Sequence, residues 1–186
     1  LYAFLKMLER QSGIHFKYIP LPSYDACLKA LADGTADIMP DVYPQLSFLR
    51  SKGIFSGKIY YNAPITMVGR VQSNKLPGQG CTVGFTNEMY SVMLAYKSTY
   101  PDDIPKLYPS FSACRKAFEA GEVDFQIWPY PGSTLQDDPP KDGLLLPTRA
   151  MYPMALGTSP HASPFVTSVL DKVITSTTTA TIDALL

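Results

Sequence analysis

The 186-residue chain carries 16 basic and 16 acidic side chains, so its formal net charge is zero. This balance, without any run of Lys or Arg, argues against a nucleic-acid-binding surface. Because 46% of the residues are hydrophobic and 17% are charged, the chain can build a packed core and is not typical of a disordered protein. No stretch reaches the about 18 consecutive apolar residues that a membrane span needs.

The first predicted element is an amphipathic helix that ends near Gly13, and an alternating strand over 14–20 follows it. A second helix and a short strand occupy 24–38. A loop then leads to a long extended run over 59–70. Polar turn residues separate this run from a further strand over 82–85.

The second half of the chain repeats this order of elements. A helix follows the strand at 82–85, a strand lies near 106–108, and a helix and strand fill 111–128. Two short strands and a helix that begins at Ser163 complete the pattern. Alternating strands and helices predict an α/β protein with largely parallel strands, in which ligands bind at the carboxyl ends of the strands.

Residues 24–38 and 111–125 are two copies of one segment, YDACLKALADGTADI and FSACRKAFEAGEVDF, with 6 of 15 positions identical. In each copy an apolar helix face ends at a glycine that suits a helix C-terminus. A strand then follows Asp37 or Asp124, and the recurrence of this aspartate favours a structural role in the turn. Two copies predict two similar lobes with a small-molecule site between them.

The sequence contains no motif for a metal, a cofactor or a catalytic nucleophile, so no cofactor is predicted and an enzyme is not expected. Cys27 and Cys114 occupy matching positions on the repeated helices and are predicted to be buried apolar side chains. Cys81 lies in a predicted loop and is the candidate for an exposed thiol. The acidic pairs at 102–103 and 137–138 are predicted to be solvated.

Several motifs together resemble the type II periplasmic solute-binding proteins of the amino-acid-binding branch. ADGTADIMPDV (32–42), Ser-x-x-Arg (47–50) and FSGKIYY (55–61) resemble the signature of the first lobe. TVGFTNEMYS (82–91) and AFEAGEVDFQIW (117–128) resemble that of the second lobe. The resemblance covers nearly the whole chain and includes a return strand and two C-terminal helices.

The resemblance implies a two-lobed α/β fold with a hinged cleft, in which the N-terminal strand of the family is missing. It divides the chain into lobe 1 over 1–66, lobe 2 over 67–150, and a return strand and C-terminal helices over 151–186 that pack on lobe 1. The motif sequences most resemble those of sensor domains that lie outside the bacterial membrane and precede diguanylate cyclase or histidine kinase modules. It therefore implies an extracytoplasmic, membrane-tethered sensor of a small solute.

In the first lobe, the resemblance assigns Arg50 to the position that holds the carboxylate of the ligand. A guanidinium suits this role because its planar fork donates two hydrogen bonds to a carboxylate; the alternative is a surface arginine. Asp41 and Tyr43 are expected in the loop after the first-lobe strand. Asp41 either pairs with a ligand amine or caps a turn.

In the second lobe, Thr86 and Asn87 precede a helix, where free backbone N–H groups either receive an anion or are capped locally. Trp128 and Tyr130 either stack on the ligand or pack as core or lid aromatics. Pro129 occupies the position at which amino-acid binders place the aspartate that holds the ligand ammonium. The resemblance thus implies an amino acid or another carboxylate as the ligand.

Three functions follow from these residues. The first is the sensor domain, which signals by closure on its ligand. The second is a soluble solute-binding component of an ABC-type transporter. The third is a dehydratase-like enzyme on the same scaffold, which would need an acid–base pair that the sequence does not offer.

Overall fold

The computed structural model describes residues 1–71, 74–128 and 143–186. These residues form two compact units. The first comprises Leu1–Asn62 with Pro153–Leu186, and the second comprises Ala63–Tyr152. The sequence places the corresponding breaks after residues 66 and 150.

In chain order the elements are α1 (Tyr2–Ser12), α2 (Tyr24–Asp33), β1 (Ile38–Val42), α3 (Ser47–Ser51), β2 (Phe55–Arg70), β3 (Thr82–Thr86), α4 (Tyr90–Thr99), β4 (Ile104–Tyr108), α5 (Phe111–Glu119), β5 (Phe125–Trp128), β6 (Gly143–Thr158), α6 (Pro164–Ser176) and α7 (Thr179–Leu185). A short 3-10 turn, Asn87–Met89, leads from β3 into α4. The strands β2 and β6 each have 16 residues. Both strands run from one unit into the other.

Within the first unit the strand order is β1-β6-β2. The strands β1 and β6 are antiparallel, with Ile38 opposite Thr158, and the register shifts between Met39 and Val42. The core of this unit buries Phe4 of α1 completely, and the Phe4 ring stacks on the Tyr60 ring at 4.4 Å between centroids. Helix α1 therefore covers the segment of β2 that lies in this unit.

Within the second unit the strand order is β6-β2-β5-β3-β4. The pairs β3–β4 and β3–β5 are parallel, whereas β2 and β5 are antiparallel. Helix α5 packs on β3, β4 and β5. The α/β class is confirmed, but the parallel pairing predicted from the sequence holds only for β3, β4 and β5.

Two predictions about strands were wrong. Residues 14–20 form no strand, because their backbone donors are satisfied locally: the Phe16 N–H donates to Glu9 Oε1 at 2.7 Å, and the Ile14 N–H donates to Ser12 Oγ at 3.1 Å. The two short strands predicted near the end of the chain are one continuous strand, β6.

The predictions for Cys81 and Asp103 were also wrong, since both side chains are buried. Asp103, 1% exposed, accepts hydrogen bonds from the backbone N–H of Cys81 at 2.9 Å and from the Tyr96 hydroxyl at 2.6 Å. The Cys81 thiol donates to the carbonyl of Leu76 at 3.1 Å. The loop before β3 thus folds over a buried carboxylate, and its apparent polarity in the sequence reflects hydrogen bonding inside the unit.

The other two cysteines lie on the repeated helices and differ in how deeply they are buried. Cys114 on α5 is buried as predicted, whereas Cys27 on α2 is only partly buried. Burial raises the pKa of the Cys114 thiol to about 12, so Cys114 stays protonated near neutral pH and behaves as a small apolar side chain. The acidic pair at 137–138 lies outside the described residues.

Candidate functional site

The candidate residues of the first unit lie at and after the carboxyl end of β1. Asp41 lies within β1 itself and is half-buried, so its predicted place in a loop was wrong. The strand runs on to Val42 because its register with β6 resumes there, at Val42 opposite Ala155, after the irregular step that follows Met39. Asp41 is therefore the last residue but one of β1 before the chain leaves the sheet.

Tyr43 follows β1 and is 3% exposed. Its backbone N–H donates to the Tyr24 hydroxyl at 3.2 Å, and its own hydroxyl donates to Gln45 Oε1 at 2.8 Å. Burial raises the pKa of the Tyr43 hydroxyl. Tyr43 therefore stabilises the turn between β1 and α3, and its hydroxyl already has a hydrogen-bond partner, Gln45, in the same turn.

Arg50 lies on α3, the short helix that follows this turn, rather than in a loop. Leu49, 2% exposed, anchors the helix in the core, while the neighbouring Arg50 side chain is exposed. Within the described residues, the Arg50 guanidinium forms no hydrogen bond or ion pair. All five of its N–H donors are therefore available to an anion.

In the second unit, β3 and β5 are parallel, with Gly84 opposite Gln126. Thr86 and Trp128, each two residues further along its strand, consequently end the two strands at the same edge of the sheet. Thr86 is buried and Asn87 is exposed, and Asn87 begins the 3-10 turn that leads into α4. The structure thus brings three of the four second-lobe candidates together at the edge where α/β proteins bind ligands.

The Trp128 ring packs inside the second unit. It lies against the buried cluster of Val68, Phe118 and Val123, and it meets the Phe111 ring edge-on at 5.5 Å and 70°. Most of its surface is therefore used to seal α5 onto the sheet. Tyr130 and Pro129 lie outside the described residues.

Sequence reasoning missed Gln126, which lies on β5 with its side chain 0% exposed. Among the residues that the structure describes, neither its amide oxygen nor its amide nitrogen has a hydrogen-bond partner. Gln126 lies opposite Val68 of β2 and Gly84 of β3 in the sheet. Val68 packs against Phe118 of α5 and Gly84 lies beside Cys114 of α5. The Gln126 side chain therefore points to the face of the sheet that α5 covers. The signal was present in the sequence as one polar residue within the apolar strand FQIW.

Two further features were predicted to be absent from the sequence, a metal site and a membrane span. Over residues 1–71, 74–128 and 143–186, no group of three or more His, Cys, Asp or Glu side chains has the arrangement of a metal site. Across the same ranges, every helix is too short or too polar to cross a lipid bilayer.

Comparison with solved structures identifies the fold. The chain superposes on the periplasmic VFT2 domain of BvgS from Bordetella pertussis with a TM-score of 0.71 and 18% identity, covering 99% of this chain and 80% of that one. It superposes on the GluR0 ligand-binding core in complex with L-glutamate with a TM-score of 0.69 and 14% identity, covering 97% and 83%.

A transport protein gives a similar match. The amino-acid ABC transporter substrate-binding protein AbpA from Streptococcus pneumoniae, bound to L-arginine, matches with a TM-score of 0.61 and 18% identity over 97% of this chain and 78% of that one. No protein-family model matches the sequence, and no curated protein sequence does either. The chain therefore has the two-lobed fold of the periplasmic binding proteins, as the sequence motifs predicted.

Proposed function

We propose that this chain is an extracytoplasmic sensor domain that binds a small carboxylate-bearing solute, with Arg50 holding the carboxylate. The observation that carries the proposal is the exposed Arg50 guanidinium on α3, the helix that follows β1, without a partner among the described residues. In a chain with the fold of the periplasmic binding proteins, a free planar cation at this place suits a bidentate carboxylate contact.

Amino acids are the first ligands to consider, since GluR0 was solved with L-glutamate and AbpA with L-arginine. Pro129 occupies the sequence position at which the amino-acid-binding proteins that this chain resembles have an aspartate that binds the ligand ammonium. We therefore infer that the ligand either lacks an α-ammonium group or places it near Asp41. Organic acids belong beside amino acids in any ligand screen.

The signal would be a change in the arrangement of the two units. The chain connects them through β2 and β6, so residues near 62–63 and 152–153 would absorb the movement. A ligand favours a closed arrangement only by binding it more tightly than the open one. In a sensor, this movement would act on a membrane-tethered output module such as a diguanylate cyclase or histidine kinase.

A soluble solute-binding component of an ABC-type transporter is the second candidate, because AbpA has this role and the same fold. The complete gene separates the two candidates. A transmembrane segment and an output module encoded with this domain would support the sensor. A signal peptide and a stop codon after this domain would support the transporter component.

Ligand binding itself is tested by a thermal-shift screen of the 20 amino acids and a set of mono- and dicarboxylates. A ligand at about 100 times its Kd stabilises the folded chain by about 2.7 kcal/mol. For a chain of this size that stabilisation raises the Tm by roughly 5–10 °C. If no compound in either set raises the Tm, the solute-binding proposal fails.

A further inference from the structure

A groove opens entirely within the first unit, and its described lining does not include Asp41, Tyr43 or Arg50. It lies between the start of β2, the turn that follows β6 and one face of α6, and its volume is about 770 Å³. Small-molecule sites in proteins usually enclose about 300–1,000 Å³. The groove therefore has the size of a ligand site, and its lining does not involve the second unit.

Hydrogen bonds hold the two long walls of this groove together. The backbone N–H of Lys58 on β2 donates to Asp171 Oδ1 on α6 at 3.1 Å, and Lys58 Nζ donates to Thr175 Oγ1 at 2.9 Å. Gly57 allows this approach, because a Cβ there would lie 2.7 Å from Asp171 Oδ1. The walls are thus set before any ligand arrives, which lowers the entropic cost of binding.

One end of the groove is apolar. The Phe55 side chain is 54% exposed and lines the groove with Pro160, Ala162 and Pro164. Gly53 marks this end, since a Cβ on it would lie 3.6 Å from the Pro160 side chain. An exposed aromatic ring beside prolines offers a flat surface to an aryl or branched alkyl group.

The other end is cationic and rich in hydroxyl groups. Lys58 and Lys172 line it together with Thr175 and Ser176. Among the described residues of the lining, Asp171 is the one acidic side chain, and one of its oxygens already accepts the Lys58 N–H. Two ammonium groups against one engaged carboxylate leave this end with a net positive charge, which favours an anion.

The spacing of the two ends limits the ligand. Phe55 and Lys58 both line the groove, and their backbone positions on the extended strand are about 10 Å apart. We propose that this groove binds a small amphipathic anion, an aryl or branched alkyl carboxylate, with its apolar body on Phe55 and its carboxylate at Lys58 and Lys172. The residues proposed to hold this anion differ from those assigned to the Arg50 site.

The test uses 3-phenylpropionate as the probe and 3-phenyl-1-propanol as its neutral counterpart, with binding followed by ¹H–¹⁵N amide shifts. We expect the acid to shift the amides of Lys58, Ser168 and Thr175 and to bind about fivefold more tightly than the alcohol. Ser168→Trp, an exposed substitution that fills the groove, should abolish these shifts. The double variant Lys58→Gln, Lys172→Gln should bind the acid about fivefold more weakly and leave binding of the alcohol unchanged.

Arg50→Ala distinguishes the two sites, because it should leave the groove shifts intact whether or not the Arg50 site binds a solute. The proposal is overturned if the groove amides do not respond to the acid. It is equally overturned if the alcohol binds as well as the acid, or if Ser168→Trp leaves the shifts in place. Shifts that follow protein concentration instead of the probe would assign the groove to a second copy of the chain and would also overturn it.

Discussion

The two copies of the repeated segment share their local structure. Ser23 and Ser110 both cap their helices, accepting hydrogen bonds from the backbone N–H groups of Ala26 at 3.1 Å and Ala113 at 3.2 Å. After each helix a glycine adopts positive φ, 79° at Gly34 and 83° at Gly121. The repeat therefore encodes a capped helix, a left-handed turn and a strand in the same way twice.

The copies differ in their sheet neighbours. In the first unit, β1 is the outermost strand and pairs with β6, whereas β5 lies between β2 and β3. The aspartates before these strands differ accordingly: Asp37 is exposed, and Asp124 binds Lys75 and Thr82. Similar local structure thus acquires different roles from tertiary context, and paired substitutions in the two copies can measure the difference.

The largest effect is expected from the aspartate pair. Asp124 Oδ2 accepts from the Thr82 N–H and the Thr82 hydroxyl, both at 2.9 Å, and the carboxylate pairs with Lys75 at 2.8 Å. Asp124→Ala should lower the free energy of unfolding by about 2–3 kcal/mol, since the Thr82 N–H, the Thr82 hydroxyl and the Lys75 ammonium all lose a charged acceptor. Asp37→Ala, whose carboxylate has no hydrogen bond within the described ranges, should cost less than about 0.5 kcal/mol. Urea denaturation of both variants checks this, and equal losses would contradict it.

The same carboxylate predicts an acid dependence of stability. Burial raises the pKa of Asp124, but the hydrogen bonds from Lys75 and Thr82 and the Lys75 charge outweigh it, so the pKa is lowered overall. A lowered folded-state pKa gives stability that is present above the unfolded value of about 3.9 and lost as pH falls through the folded value. Asp124→Asn should therefore lose less stability than the wild type between pH 6 and pH 3. Parallel curves would show that this carboxylate does not contribute.

The glycine pair should show the next largest effect. Both positions require positive φ, which costs an alanine about 1–2 kcal/mol. At Gly34 the added Cβ would also lie 2.9 Å from the His161 ring, whereas at Gly121 the nearest atom is an Arg70 nitrogen at 3.9 Å. Gly34→Ala should therefore destabilise the chain more than Gly121→Ala in thermal unfolding. The reverse order would show that the turn in the second copy is the more constrained one.

The smallest effect on stability is expected at the second residue of the strand in each copy. This residue is Met39 in β1 and Gln126 in β5. Because the Gln126 amide is buried without a partner in the described part of the chain, Gln126→Met should stabilise the chain by about 1 kcal/mol. Met39→Gln, which buries an amide in the first copy, should destabilise it by a similar amount. A destabilising Gln126→Met would mean that the amide is satisfied by a water or ligand in solution.

Much of the architecture followed from local sequence signals. The ends of α1 and α2 were predictable because Gly13 and Gly34 mark a left-handed C-terminus, and the two-lobed fold followed from motifs that resemble known binding proteins. The antiparallel pairing of β1 with β6 was not predictable, since it joins residues more than a hundred positions apart and no local pattern specifies a partner.

The candidate site was predicted less completely. Trp128 was correctly placed at the end of a strand, whereas Thr86, which was predicted to follow the strand over 82–85, is the last residue of β3. Asp41 was misplaced because an acidic residue after Pro40 has the pattern of a turn, whereas here it continues an outer strand. Burial at Asp103 and Gln126 depends on contacts from distant parts of the chain, which composition does not reveal.

The central claim is that Arg50 binds the carboxylate of a solute, and calorimetric titration of paired variants tests it most directly. The titrant is the compound that gives the largest Tm increase in the screen, and the variants are Arg50→Ala and Lys52→Ala, an exposed cation two residues away. We expect Arg50→Ala to weaken binding by about 10- to 100-fold and Lys52→Ala to bind like the wild type. Equal affinities for the two variants would contradict the assignment of Arg50.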